Sequence, residues 1–214
     1  MLEVQKQDEN EQTVGADMRS TEQKNKKQTL KAVMKKRFSA KRMALMAVFV
    51  ALSFCVSLLD FPIFPATPFL KLDFGNTFIL LIAFLLGPIE GVIVCVLKEV
   101  IRIPTGSTGG VGERATIFAT SAYILLPSII YQYKKGLKFV IPSLVGACLL
   151  GTGVSLLTNR YINFPLYMGE GASAFFAESF WFIVAFNLIK TVAISILTLL
   201  LYKRLSNFLK NMKI

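Results

Sequence analysis

Residues 97–115, which read LKEVIRIPTGSTGGVGERA, place charged side chains and glycines between two long apolar segments. A charge buried at the middle of a bilayer costs roughly 2.5–3.5 kcal/mol on insertion scales, so these side chains should face a protein interior or a wet cavity. The stretch therefore predicts a site between two membrane helices. The alternative is a solvated turn that keeps its charges at the membrane interface.

The composition on either side of this stretch is that of an integral membrane protein. Of the 214 residues, 54% are hydrophobic, and the mean hydropathy of +0.57 is too high for an ordinary soluble domain. The net charge is +11, but 18 of the 24 basic residues lie in three regions outside the apolar segments, 1–42, 134–138 and 203–213. A charge distributed in this way reports membrane orientation and gives little support to nucleic-acid binding.

Side chains for catalysis or metal binding are scarce in the sequence. There is no histidine, and the three cysteines, Cys55, Cys95 and Cys148, all lie within apolar runs. Histidine is the commonest metal ligand and general base, and an odd number of cysteines placed in this way suggests neither disulfides nor a zinc site. We therefore predict no catalytic residues, no metal site and no cofactor. Residues 110–115, GVGERA, match a dinucleotide-binding pattern only formally, because no strand precedes them.

Six apolar segments predict an all-α membrane protein with six transmembrane helices. They lie at 43–59, 76–86, 89–103, 111–133, 139–157 and 180–201. Residues 60–75 contain three prolines, which favour extended or turn backbone, and residues 159–178 are predicted to form a long loop. A polar, disordered tail (1–42) precedes the membrane domain (43–207), and a basic tail (208–214) follows it.

The basic clusters set the predicted orientation. Cationic ends and turns favour the cytoplasm, and an even number of spans puts both termini on the same side, so both are predicted to be cytoplasmic. The loops at 60–75, 104–112 and 159–178 then lie on the outer face. The second and third helices are short for a bilayer of about 30 Å, which needs about 20 helical residues.

The last apolar segment contains two polar side chains far from its ends. Asn187 and Lys190 are three residues apart and therefore lie on one helical face. Lys190 either forms a buried ion pair with Glu99 or Glu113 or contacts a ligand, and Asn187 offers a ligand both donors and acceptors.

Six short motifs follow one another in an order that is characteristic of one family. They are PFLKLDF at 68–74, the Gly87-Pro88 turn with Gly91, Leu97-Lys98, GGVGE at 109–113, Asn159 followed six residues later by Pro165, and FNLIK at 186–190. Together they resemble the substrate-binding S components of energy-coupling factor vitamin transporters, in particular the riboflavin transporter group. The resemblance covers roughly residues 40–207.

The resemblance implies a six-helix subunit of the bacterial plasma membrane that binds a vitamin near the outer face. Such a subunit is not an enzyme, and it works within the lipid bilayer with a transmembrane T component and two cytoplasmic ATPase subunits. Ala47 and Ala51 match the family's contact for the T component. They also lie one turn apart, and such a small-xxx-small face lets another helix approach closely.

The resemblance and the polar positions together give the candidate substrate-binding residues. They are Lys71, Lys98, Glu99, Glu113, Thr116, Asn159, Asn187 and Lys190. Asn159, Asn187 and Lys190 match the pattern of the riboflavin group. Glu99 and Thr116 depart from it, because that group often has asparagine at these positions.

Riboflavin or a close flavin is the favoured ligand. Its flat rings suit nearby aromatic side chains, and its polar edge and ribityl chain suit the amides and Lys190. The aromatic candidates are Phe61, Phe64, Phe69, Tyr161 and Phe164. Pantothenate or another small vitamin stays open, because the charges alone do not decide the ligand. A membrane enzyme or a channel is the second alternative, and Glu99 with Glu113 is the carboxylate pair that an enzyme could use.

Overall fold

The structure is a computed structural model that describes residues 39–106, 109–134 and 136–211. The chain divides into two compact units, Met1–Met43 and Ala44–Ile214. The helices and strands of the described residues belong to the second unit, apart from residues 40–43 at the start of the first helix. Most of the predicted tail at 1–42 lies outside the described residues, as do residues 107 and 108 of the predicted loop 104–112.

Each of the six predicted apolar segments forms a helix, and among the described residues a seventh, short helix lies between the fifth and sixth segments. The helices are α1 (Ala40–Ser57), α2 (Asn76–Leu85), α3 (Pro88–Arg102), α4 (Val111–Tyr133), α5 (Leu137–Thr158), α6 (Phe164–Met168) and α7 (Ala172–Asn211). The strands β1 (Phe61–Pro62) and β2 (Lys71–Leu72) lie between α1 and α2. A π-helical turn, Asn159–Asn163, joins α5 to α6, and a 3-10 turn, Gly169–Gly171, joins α6 to α7.

Helix α2 lies at the centre of the hydrophobic core. Its sequence, NTFILLIAFL, is apolar around most of its circumference, and Ile79, Leu80 and Ile82 have no exposed surface. A helix of this kind is covered either by protein or by lipid, and α2 packs against α3, α4 and α7. Gly91 of α3 allows a close approach to α2, because a Cβ added there would collide with Ala83.

The proline-containing segment between α1 and α2 is a short antiparallel hairpin, which confirms the prediction of extended and turn backbone. Phe61 pairs with Leu72, and Pro62 pairs with Lys71. The hydroxyl of Ser53 in α1 donates a hydrogen bond of 2.8 Å to the carbonyl of Gly75. The hairpin is therefore attached to the helix that precedes it just where α2 begins.

The prediction of a long loop at 159–178 was wrong. Helical backbone continues from α5 through the π-helical turn into α6, and α7 begins at Ala172, eight residues before the predicted start. Pro165 lies in the first turn of α6, where its missing N–H is not needed. Helix α6 ends at Met168 and is followed by Gly169, whose φ of +57° suits glycine. Here the proline begins a helix and the glycine ends it, although the composition of this stretch had suggested a loop.

Three helical stretches of the described residues are long and apolar enough to cross a membrane. They are Ala40–Ser57, Val111–Tyr133 and Lys138–Tyr202. The third stretch contains most of α5 and of α7, together with α6 and the turns between them. Helix α2 is apolar but has only ten residues, as expected from the short second segment.

Candidate functional site

A cavity lies among the hairpin, α4, α6, α7 and the end of α5. Its volume is about 170 Å³, roughly ten times the volume that a single buried water needs. Its wall is mainly apolar, with a few amides and two lysines. This composition is typical of small-molecule sites.

The hairpin and α4 form one part of the wall. The hairpin contributes Phe69, Leu70 and Lys71, and α4 contributes Val111, Gly112, Ala115, Thr116 and Ala119. Gly112, Ala115 and Ala119 are spaced so that they lie on one face of the helix. Because these residues are small, the start of α4 leaves room beside it.

The end of α5 and the π-helical turn contribute a row of polar side chains. Asn163 donates from Nδ2 to Asn159 Oδ1 at 3.0 Å, and Asn159 donates to Ser155 Oγ at 3.4 Å. Asn163 Oδ1 is buried and has no hydrogen-bond partner among the described residues. An unsatisfied buried acceptor costs about 1–3 kcal/mol, so a ligand that donates to Asn163 would recover this energy.

Helix α7 contributes Asn187 and Lys190, as the spacing of the two residues predicts. Asn187 donates from Nδ2 to the carbonyl of Ile183 at 2.8 Å. Lys190 is only 9% exposed, and none of the described carboxylates lies within salt-bridge distance of it. Its Nζ lies 5.8 Å from the centre of the Phe186 ring. The predicted alternative, an ion pair between Lys190 and Glu99 or Glu113, is therefore absent from the described residues.

Lys98 and Glu99 lie outside the cavity wall, in a buried ion network. Lys98 Nζ donates to Asp73 and, at 2.6 Å, to Glu99 Oε1. Arg102, one turn further along α3, donates to Asp73 at 3.0 Å and also to Asp60. Asp60 and Asp73 flank the hairpin at its two ends, so the network connects α3 to the segment that carries part of the cavity wall.

The carboxylate of Asp73 is the acceptor that the two cations of α3 share. Burial alone would raise the pKa of Asp73, but the nearby cations of Lys98, Lys190 and Arg102 together outweigh burial and hold the pKa below its usual range. Glu113 is buried as well, and its carboxylate lies against Gly106. Neither Asp73 nor Glu113 reaches the cavity wall.

Five of the eight candidate substrate-binding residues thus line the cavity. They are Lys71, Thr116, Asn159, Asn187 and Lys190. The structure does not bring Lys98, Glu99 or Glu113 to its wall.

Two of the five aromatic candidates, Phe69 and Phe164, also line the cavity. Of the others, Phe64 packs on Phe182, with 5.6 Å between ring centres, and Phe61 and Tyr161 are exposed.

Sequence reasoning missed several residues of the wall. They include Asn163, Tyr167, Phe175 and Phe186. The first three fall within the stretch predicted to be a loop. A signal for the start of α7 was present, because apolar residues recur at helical spacing from within that stretch onward, at 172, 176, 180, 183 and 186.

Ala47 and Ala51 lie on an exposed face of α1. Val48 and Leu52, which neighbour them on the helix surface, are exposed too. The face is apolar and carries no charge, so it suits either lipid or another helix.

The fold and the cavity are those of a membrane protein with room for a small molecule among its helices. The family model for the substrate-specific component of ECF transporters matches residues 41–202, so the chain belongs to this family. Its members are integral membrane proteins that act as the substrate-binding component of a transporter. The resemblance described from the six motifs is thereby confirmed.

Two curated relatives cover most of the chain. The riboflavin transporter RibU of Staphylococcus aureus (strain TCH60) is 32% identical over 175 residues, which are 79% of this chain and 93% of the relative. The riboflavin transporter FmnP of Bacillus subtilis (strain 168) is 26% identical over 187 residues, 81% of this chain and 96% of the relative. A solved structure of the S component of a bacterial ECF transporter is 34% identical, with a TM-score of 0.70, over 79% of this chain and 98% of that chain.

Proposed function

We propose that this chain captures riboflavin or a closely related flavin for an ECF-type vitamin importer. The main support is that a cavity lined by aromatic side chains and amides occurs in a chain whose two relatives are both named riboflavin transporters. Phe69, Phe164 and Phe175 pack edge to face or tilted, with 5.0–5.8 Å between ring centres. They provide an apolar surface for the flavin rings, while Asn159, Asn163 and Asn187 suit its polar edge and ribityl chain.

Titration of the purified protein with riboflavin tests this proposal. Binding should quench flavin fluorescence at submicromolar concentration, because the rings leave water and stack against aromatic side chains. A mass spectrum of whatever co-purifies with the detergent-solubilised protein gives an independent result. If riboflavin neither binds nor co-purifies, the flavin proposal fails.

One observation favours a second ligand class. Lys71 and Lys190 both line the cavity, and no carboxylate among the described residues joins them in its wall. Lys71 lies 3.8 Å from the carboxylate of Asp60, so Lys190 is the cation of the wall that would suit a carboxylate-bearing vitamin such as pantothenate. A rise in melting temperature with pantothenate, and none with riboflavin, would select this alternative and leave the family unchanged.

We also propose that α1, α2, α3, α4, α5 and α7 are six membrane spans, with both termini in the cytoplasm. Lys134 follows the end of α4 and Lys138 lies in the first turn of α5, and both favour the cytoplasmic side. The hairpin and the π-helical turn then lie toward the outer face, where a vitamin arrives. Residues 1–42 and 208–214 are proposed to lie outside the membrane domain at 43–207.

The proposed partners are a transmembrane T component and two cytoplasmic ATPase subunits. Family membership supports a module of this kind, because a substrate-binding component is one part of a transporter. Ala47 and Ala51 on the exposed face of α1 are the proposed contact for the T component.

A further inference from the structure

A second concavity lies beside the π-helical turn. Its volume is about 540 Å³. Arg160, Tyr161, Glu170, Phe176 and Trp181 contribute to its wall. The same turn therefore points Asn159 and Asn163 into the first cavity, and Arg160 and Tyr161 into this second concavity.

The concavity contains one positive and one negative side chain. The Arg160 guanidinium lies 5.6 Å from the centre of the Tyr161 ring and 5.5 Å from that of Phe176, so two aromatic faces position it. Neither Arg160 nor Glu170 has an ion-pair partner within the described part of the chain. Both charges therefore remain available to a bound group that carries the opposite charges.

The remaining wall suits a membrane interface. Trp181 is 75% exposed and Tyr161 is 67% exposed, and the concavity lies where the apolar helix α7 begins. Tryptophan and tyrosine concentrate at the level of lipid headgroups, because each has an apolar body and a polar tip. Phe180 and Ala177 extend the wall along α7 and provide an apolar surface for the first part of an acyl chain.

We propose that this concavity binds the headgroup of a zwitterionic phospholipid that carries a free ammonium group, as in phosphatidylethanolamine. Arg160 binds the phosphate, since a guanidinium donates several hydrogen bonds to phosphate oxygens. Glu170 attracts the ammonium and repels an anionic headgroup. A soluble phosphate fits less well, because it has nothing to place against the exposed aromatic wall. The proposal does not depend on which vitamin the first cavity binds.

Trp181 is the sole tryptophan in the sequence, so intrinsic fluorescence reports on this concavity. We would reconstitute the full chain in vesicles with equal amounts of phosphatidylethanolamine and phosphatidylglycerol, and brominate the acyl chains of one lipid or the other. Lipid composition is then identical in both samples, and only the position of the quencher differs. Brominated phosphatidylethanolamine should quench Trp181 about two- to fivefold more strongly, a range set by the modest strength of exposed ion pairs.

Two pairs of variants test the two charges. Glu170→Gln should bring the ratio of quenching to one or below, whereas Glu178→Gln, the same change at an exposed position of α7 outside the concavity, should leave it unchanged. Arg160→Ala should weaken quenching by brominated phosphatidylethanolamine, whereas Lys134→Ala should not. Equal quenching in the unmodified protein, stronger quenching by phosphatidylglycerol, or a ratio that survives Glu170→Gln would each overturn the proposal.

Discussion

Two buried lysines of this protein have opposite surroundings. Lys98 has no exposed surface and contacts both Asp73 and Glu99. Lys190 lies in the cavity wall without an acid at salt-bridge distance in the described part of the chain. An unpaired buried charge destabilises a fold, whereas removing one member of a buried pair leaves its partner unsatisfied. The same substitution should therefore have opposite effects at the two positions.

We expect Lys190→Met to raise the melting temperature of the ligand-free protein, because a buried charge without a salt-bridge partner is removed. The same change should weaken riboflavin binding by on the order of 1–3 kcal/mol, because a ligand acceptor loses its buried donor. Lys98→Met, the matched control, should lower stability by about 3–5 kcal/mol. Thermal melting in detergent and riboflavin titration measure both effects. A fall in melting temperature for Lys190→Met equal to that for Lys98→Met would mean that Lys190 has a structural role.

The unsatisfied oxygen of Asn163 leads to a second prediction at this scale. Asn163→Ala should weaken riboflavin binding by about 0.5–1.5 kcal/mol, the net value of one hydrogen bond. Asn76→Ala is the control, because Asn76 is equally buried but does not line the cavity. An unchanged dissociation constant for Asn163→Ala would exclude Asn163 from the ligand contacts.

The packing of α2 against α3 leads to a prediction about helices. Gly91→Ala should destabilise the protein by about 1–3 kcal/mol, because the new methyl group collides with Ala83 in a filled core. Gly153→Ala in α5 is the matched control, since nothing lies within 4 Å of the added Cβ. That change should be neutral or stabilise the helix by about 0.5–1 kcal/mol. Equal melting temperatures for the two variants would show that α2 and α3 can move apart without cost.

The exposed face of α1 can be tested separately from the cavity. Ala47→Leu or Ala51→Leu should leave riboflavin affinity unchanged and lower uptake by cells at least about tenfold, because close helix approach is lost while the cavity is untouched. Ala174→Leu, an equal enlargement at an exposed position of α7, should not lower uptake. Loss of riboflavin binding in the α1 variants would place this face at the cavity instead.

The proposed orientation of the protein in the membrane can be tested on the whole molecule by thiol labelling. In a Cys55→Ala background, which removes the exposed native thiol, Ser173→Cys should react with an impermeant thiol reagent added to intact cells. Lys134→Cys should react only after the membrane is permeabilised. Both positions are exposed on the protein, so accessibility within the protein does not limit either reaction. The opposite pattern would reverse the orientation.

By itself the sequence determined the membrane class, the six helical segments, the non-helical hairpin and the family. Hydropathy and proline stereochemistry act over a few neighbouring residues and can be read without tertiary contacts. The same local reasoning failed at 159–178, because a proline and two glycines within a short stretch resemble a loop until packing supplies the helical face that α6 and the start of α7 bury.

Only the tertiary structure decided which charges pair and which face the cavity. Lys98 and Lys190 are both lysines within apolar helices, and nothing in their local sequence distinguishes them. The acid that binds Lys98 together with Glu99 lies 25 residues away, at the end of the hairpin. Asn163 likewise faces the cavity because a π-helical turn places it beside Asn159. Ion pairing and cavity walls depend on distances between segments that are remote in sequence, and those distances exist only once the helices have packed.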